Sequence, residues 1–230
     1  MLVTVAVTRL LKTAPTCGVL IAVFDGLDSG DERRAIYPDY KRNRDTGDTP
    51  DPALTGLKNM APTLFQQAKF TVVKSTNGYE GDDVLAALAS AALSSPESRV
   101  SIASDDKDML ALICDARVTI LKHSETGGKF EQLTGATSRR LKIAPTQMAD
   151  FLAICGDSSD NIPGAMGIGE MRALALLKEY GSLAGILHAA NDGELSGAAL
   201  RAFTEPESLR RIEISKELVR LRARATWEVL

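Results

Sequence analysis

Four apolar, β-branched runs recur through the first 121 residues with helical patterns set between them, and this alternation restricts the fold more than any other feature. The runs are Gly18 to Phe24, Lys69 to Val73, Arg99 to Ser104 and Val118 to Leu121. Between them, Val84 to Leu93 reads as an Ala/Leu-rich helix and Met109 to Ile113 as a short one. Strand, helix, strand in this order predicts an α/β fold, a mostly parallel central sheet flanked by helices. After about residue 140 the strand signals stop. Thr146 to Cys155 and Met171 to Tyr180 read as helices around a loop holding Pro163, Gly164, Gly167 and Gly169, and Glu207 to Arg224 reads as a closing helix after Pro206. The expected organisation is an α/β domain over residues 1–140 and a helical region over 141–230. In the first segment, Val3, Val5 and Val7 suit a strand as well as a helix, while Leu10-Leu11 before Lys12-Thr13-Ala14-Pro15 suits a helix end, so a helix is favoured. The polar stretch from Asp45 to Pro52 is the expected mobile loop.

The chain's 230 residues suffice for one large domain, or for one domain with a small appendage. No apolar run approaches the roughly 20 residues that span a bilayer, and no membrane is expected as a partner. Cys17, Cys114 and Cys155 are scattered, odd in number and without CxxC spacing, which suits reduced thiols in a cytoplasmic protein. A net charge of -3 means that the balance alone does not predict a nucleic-acid binder. Any such contact must come from local basic patches. The densest one gathers Arg33, Arg34, Lys41, Arg42 and Arg44.

The acids fall where an open parallel sheet places its active site, at the carboxyl ends of strands. Asp25 directly follows the first run; Glu80, Asp82 and Asp83 follow the second by a few residues; Asp105, Asp106 and Asp108 directly follow the third. So many carboxylates at one edge repel one another at neutral pH, and a divalent cation is the usual remedy. Oxygen ligands select Mg²⁺ or Mn²⁺ over zinc. A fourth group, Asp157 and Asp160, has the three-residue spacing that turns both carboxylates one way on a helical turn. Two metals about 4 Å apart suit phosphodiester cleavage. Each acid also has an ordinary reading. Asp25 before Gly26 suits a turn, Asp82 or Asp83 an N-cap, Asp106 and Asp108 a solvated helix start, and Asp157 to Asp160 a polar loop.

These segments resemble the 5′ nuclease family, which includes the amino-terminal domain of bacterial DNA polymerase I, phage 5′ exonucleases and, more distantly, flap endonucleases. The carrying motifs are Val23-Phe24-Asp25, Tyr37-Pro38-Asp39-Tyr40-Lys41-Arg42-Asn43-Arg44, Tyr79-Glu80-Gly81-Asp82-Asp83 and Ser104-Asp105-Asp106-Lys107-Asp108-Met109. Gly156-Asp157-Ser158-Ser159-Asp160-Asn161-Ile162-Pro163-Gly164 follows, continuing to Gly169, and the late match is Ser215-Lys216-Glu217-Leu218-Val219-Arg220-Leu221.

The resemblance implies a PIN/resolvase-like fold with an arch over about residues 26–60, then a helix-hairpin-helix-like element over about 146–180. It implies Asp25, Glu80, Asp82, Asp83, Asp106 and Asp108 as ligands of a main metal site. Asp157 and Asp160 would complete a second position with Asp106 and Asp108, making a two-ion Mg²⁺ or Mn²⁺ centre. Tyr40, Lys41 and Arg44 would touch the 5′ strand, with a solvated helix face as the ordinary alternative for that basic stretch. Gly164, Gly167, Gly169 and Arg172 would grip duplex DNA, with K⁺ as a monovalent cation at the loop. The implied protein is a monomeric 5′-3′ exonuclease and 5′ flap endonuclease acting on nicked or branched duplexes with free 5′ ends.

Some of the family pattern has no counterpart. The family begins with a strand ending in Asp several tens of residues before the first motif, whereas Met1 lies 24 residues before Asp25. The expectation is an incorrect start or a truncated gene, with neighbouring strand edges left unpaired. Met171-Arg172 stands where the family has Lys-Thr, and Asp105 where relatives often have glycine. Two readings stay open: a working nuclease, and a catalytically weak DNA-junction binder lacking one metal-ligating Asp.

Overall fold

The computed structural model describes residues 18–44, 52–123, 130–134 and 143–230. The reading of a helix near the start lies outside the described residues, as does Cys17, and so does that of a mobile loop from Asp45 to Pro52, apart from Pro52 itself, which opens a helix.

All four apolar runs form strands. β1 (Ile21–Phe24) lies parallel to β2 (Thr71–Thr76), and β3 (Val100–Ala103) lies parallel to β4 (Val118–His123). Two strands were not legible in the sequence. β5 (Phe130–Leu133) pairs antiparallel with β4, and β6 (Thr226–Val229) pairs antiparallel with β2. Each is four residues long, and β6 is exposed along its whole length, so neither carries a core-forming alternation. Among the described residues the strands therefore do not form one mostly parallel sheet. Two three-stranded mixed sheets are present, ordered β1-β2-β6 and β3-β4-β5, and no ladder joins them among the described residues.

Helices fill the connections. α1 (Asp31–Ile36) is followed by a 3-10 turn at Arg42–Arg44 and by α2 (Pro52–Gln67). α3 (Gly81–Leu93) carries Asp82 and Asp83 in its first turn, where their charges suit the positive end of a helix. Its buried Ala86, Ala87 and Ala89 let it lie close to β1, β2 and β3, so it spans both sheets. The short helix expected over Met109 to Ile113 is a 3-10 helix, Lys107–Cys114.

Beyond residue 143 the chain is helical up to β6: α4 (Met148–Cys155), α5 (Glu170–Tyr180), α6 (Leu183–Asn191), α7 (Gly197–Thr204) and α8 (Pro206–Val219). The closing helix stops at Val219, short of the expected Arg224, because Arg220 turns extended. One hydrophobic core joins the two regions. Met109, Ile113 and Ile120 pack with Leu152, Ile154, Leu177, Phe203 and Leu218. Burial of each such side chain contributes about 1.5–3 kcal/mol. This shared core holds the acids of the sheet region in a fixed relation to the loops between α4 and α5.

Candidate metal centre

The chain leaves β1 at Phe24 and turns at once. The Gly26 N–H donates to Ser75 Oγ at 2.7 Å. A Cβ on Gly26 would stand 2.2 Å from the Ser75 carbonyl oxygen, so only glycine fits. That turn presents Asp25, whose Oδ1 accepts from the Gly81 N–H at 2.7 Å and from Ser29 Oγ at 3.0 Å. Asp25 is thereby tied to the first residue of α3.

Asp83 and Asp82 are neighbours with opposite surroundings. Asp83 is fully buried. Its Oδ2 accepts from Arg33 Nη1 at 2.6 Å and from the Glu80 N–H at 3.1 Å. Its Oδ1 accepts from Arg33 Nη2 at 2.8 Å and from the Arg222 N–H at 2.9 Å. Four donors leave it no lone pair aimed at a cation. The expected ligand set included Asp83, but these contacts make it an anchor. Burial, followed by the charges of Asp106 and of Glu80 and Asp25, pushes the Asp82 carboxyl up to about 7, against a lowering pull from Lys41. Burial and then Asp106, Asp82 and Asp160 push Asp108 up to about 7 as well, with Lys107 pulling the other way. Asp106 caps the 3-10 helix, its Oδ1 accepting from the Asp108 N–H at 2.9 Å.

The remaining acids are held by cations. Glu80 accepts from the Tyr40 hydroxyl at 2.8 Å, lies 2.5 Å from Lys41 Nζ and 3.0 Å from Arg33 Nη1. Asp160 is paired with Arg44 and stands 3.8 Å from Lys41 Nζ. Asp157 meets Lys107 Nζ at 2.7 Å and accepts from Ser159 N–H and Oγ. Burial opposes these contacts, yet Lys107 and Ser159 together hold the Asp157 carboxyl below its ordinary range. Asp157 and Asp160 do not lie on a helical turn. They belong to a loop closed by reciprocal hydrogen bonds between Asp157 and Ile162, and they turn toward different cations.

The basic stretch is docked on that loop. Lys41 has a left-handed backbone (φ 57) and its N–H donates to the Asp160 carbonyl. Asn43 donates to the Ser158 carbonyl, and Asn161 to the Asp39 carbonyl. Tyr40 is buried, its hydroxyl turned to Glu80. Of the three expected glycines, Gly164 is enclosed; a Cβ there would meet the Gly156 nitrogen at 2.6 Å. Gly167 and Gly169 have open space beside them, and Arg172 is exposed in the first turn of α5.

Sequence reasoning missed the part played by Arg33, Lys107, Ser208, Ser215 and Arg222. Lys107 and Ser215 sat inside recognised motifs, but pairing across some 50 residues leaves no local signal.

The donor set fits a hard divalent cation in its chemistry: Asp25, Asp82, Asp106 and Asp108 supply carboxylate oxygens in excess of the local positive charge. Among the described residues no group of three or more His, Cys, Asp or Glu side chains is gathered closely enough to hold a metal as it stands.

Comparison with known proteins gives a consistent result. A family described as 5′-3′ exonuclease, N-terminal resolvase-like domain, matches residues 1–141, and 5′-3′ exonuclease, C-terminal SAM fold, matches residues 143–229. The chain is 31% identical to a 5′-3′ exonuclease of Aquifex aeolicus, across 88% of this chain and 70% of that protein. It is 34% identical to the flap endonuclease Xni of Aeromonas salmonicida, across 84% of this chain and 69% of the relative. It is 35% identical to DNA polymerase I of Treponema pallidum over 72% of this chain, but spans only 16% of that protein. Among solved structures, the T5 5′-exonuclease with bound divalent metal ions (zinc) superposes with a TM-score of 0.71 at 22% identity, covering 94% of this chain and 80% of the other. That likeness establishes the fold. No helix among the described residues is long and apolar enough to cross a membrane.

Proposed function

This chain belongs to the 5′-3′ exonuclease family, and on that premise we propose that it hydrolyses DNA from free 5′ ends and at 5′ flaps with the help of divalent cations. The observation that carries the reading is the meeting of acids at the start of α3: Asp25 is tied to Gly81, beside Asp82, and burial, followed by the charge of Asp106 and further acids, pushes Asp82 and Asp108 up to about 7. Scaffold acids are normally paired; buried acids left to repel one another mark a candidate site for positive charge.

In this reading Asp25, Asp82, Asp106 and Asp108 hold the first Mg²⁺ or Mn²⁺. Glu80 orients the group through Tyr40 and Lys41, and Asp83 fixes the start of α3 through Arg33. Asp157 and Asp160, paired here with Lys107 and Arg44, would hold a second ion. Bound there, divalent cations would supply a nucleophile at neutral pH and offset negative charge on the leaving oxygen. Lys41 and Arg44 leave their carboxylates for phosphates of the 5′ strand, adding affinity without sequence choice. Gly167, Gly169 and Arg172 approach the duplex backbone at the start of α5, where free N–H groups suit phosphate, and K⁺ is the monovalent cation that the loop would hold.

A second reading, a DNA-junction binder that cleaves weakly, is favoured by the ion pairs on Glu80, Asp157 and Asp160, which compete with metal. Gel shifts in Ca²⁺ test both readings. Tighter binding to a 5′ flap than to plain duplex, weakening steeply with salt, supports a 5′ nuclease or its weak counterpart. Equal affinity for the two DNAs refutes the preference for 5′ branches in either form.

A further inference from the structure

α8 carries an internal polar stripe that its amphipathic pattern does not require. Ser208, Arg211, Ser215 and Leu218 follow one another at spacings of three and four residues and share one face. Ser208 and Ser215 are fully buried. Buried serines in helices commonly bond back to their own helix, but these two accept from elsewhere. Ser215 Oγ accepts from the Gly164 N–H at 2.9 Å, and Ser208 Oγ from the Met166 N–H at 3.0 Å. Arg211 Nη2 donates to the Pro163 carbonyl at 2.5 Å. Three contacts thus hold Pro163 to Met166, immediately before the open glycines Gly167 and Gly169.

The other end of the same helix meets the acids. Arg33 Nε donates to the Leu218 carbonyl at 2.8 Å and its Nη2 to the Arg220 carbonyl at 3.2 Å. The same guanidinium clamps Asp83 from both oxygens and contacts Glu80. Just past the helix, the Arg222 N–H also reaches Asp83. A continuous chain of buried and half-buried hydrogen bonds therefore runs from the glycine loop, along α8, through Arg33, to the start of α3.

We infer that α8 is a rigid spacer that sets which phosphodiester is cut, with Ser208, Ser215 and Arg33 as its positioning residues. The inference rests on the nuclease reading above. Its physical basis is length. From Ser208 to Leu218 the helix rises about 15 Å, and successive phosphates of a strand lie about 3.4 Å apart along a duplex. Slack of only a few ångströms at either end of α8 moves the carboxylates by one nucleotide step against a duplex held at the loop. Stability and metal affinity can both suffer when buried contacts are lost, but a shift in cut position requires the spacing itself to loosen.

The test maps cleavage of an end-labelled 5′ flap in Mg²⁺ at nucleotide resolution, for the natural chain, Ser215→Ala, Ser208→Ala and Arg33→Lys, each checked for folding by circular dichroism. The natural chain should cut at one dominant position. Variants at both ends of α8 should share one phenotype, with products spread to positions one nucleotide or more away. Ser208→Ala removes a single hydrogen bond and decides the outcome if Ser215→Ala or Arg33→Lys fails to fold. A dominant cut kept in place by the folded variants, at whatever rate, overturns the inference alone. A natural chain that leaves the flap intact overturns the nuclease reading and the inference with it.

Discussion

Lys107 and Asp157 meet at 2.7 Å across the junction between the sheet region and the helical region. Lys107 stands between Asp106 and Asp108, two acids of the proposed first metal position, while Asp157 belongs to the proposed second. The ammonium thus occupies a carboxylate that a second ion would need. Lys107→Gln should strengthen the weaker of two Mn²⁺ binding events in a calorimetric titration. The lysine is half exposed, so solvent screens the pair, and a gain of about 1 kcal/mol, roughly fivefold in affinity, is the expected scale. A weaker second event in the variant would show that Lys107 supports metal binding instead of competing with it.

Protonation of Asp82 and Asp108 yields a pH dependence with a definite sign. Both carboxyls are raised from the ordinary 3.8 to about 7. The folded chain therefore holds protons that the unfolded chain has released, and this contribution to stability is full below about 4 and lost as pH rises through 7. The metal-free protein should show a falling Tm between pH 5 and pH 8, apart from other titrations. Ca²⁺ should raise Tm more at pH 8 than at pH 5, because protons compete for the same oxygens. An equal Ca²⁺ increment at both pH values would contradict the assignment.

Adjacent acids in α3 should respond in opposite ways to the same change. Asp83→Asn breaks a fully buried pair with Arg33 and should cost about 3–5 kcal/mol in urea unfolding. Asp82→Asn removes a repelling charge, so the metal-free protein should be as stable as the natural chain or more so, while Mn²⁺ affinity drops. Matching stability losses at the two positions would remove the distinction between anchor and ligand.

Gly26→Ala puts a Cβ 2.2 Å from the Ser75 carbonyl oxygen, a backbone atom with no rotamer to change. Shifting β1 against β2 should cost about 1–3 kcal/mol, the range for overpacked sites, and should displace Asp25. Thermal unfolding of the variant without a lowered Tm would show that the turn is looser than its geometry indicates.

Element type was legible where the sequence carries a dense β-branched or Ala/Leu run. β1 to β4 and α3 carry β-branched or Ala/Leu patterns that local preference alone selects. α6, α7 and the two edge strands β5 and β6 were not legible, because short segments take their form from what they pack against. The acids stand out in the sequence as a group, since Asp25, Glu80, Asp82, Asp83, Asp106 and Asp108 each follow a strand or open a helix, while Asp157 and Asp160 lie in the loop after α4. Their division of labour does not. Asp82 and Asp83 are neighbours in an acidic motif, and only the approach of Arg33 from 50 residues away turns one into an anchor. Tyr40 likewise reads as part of a basic DNA-facing stretch, yet its ring is buried and its hydroxyl serves Glu80. Contacts between distant segments decide these roles, and periodicity carries no trace of them.

Whether these acids hold catalytic metal is decided by cleavage of a labelled 5′ flap in Mg²⁺, by the natural chain and by Asp106→Asn/Asp108→Asn. The account predicts release of the flap by the natural chain and a loss on the order of 10² or more in rate for the double variant, the scale for groups that act together. A flap left intact by the natural chain, or cut equally well without those two carboxylates, would contradict it.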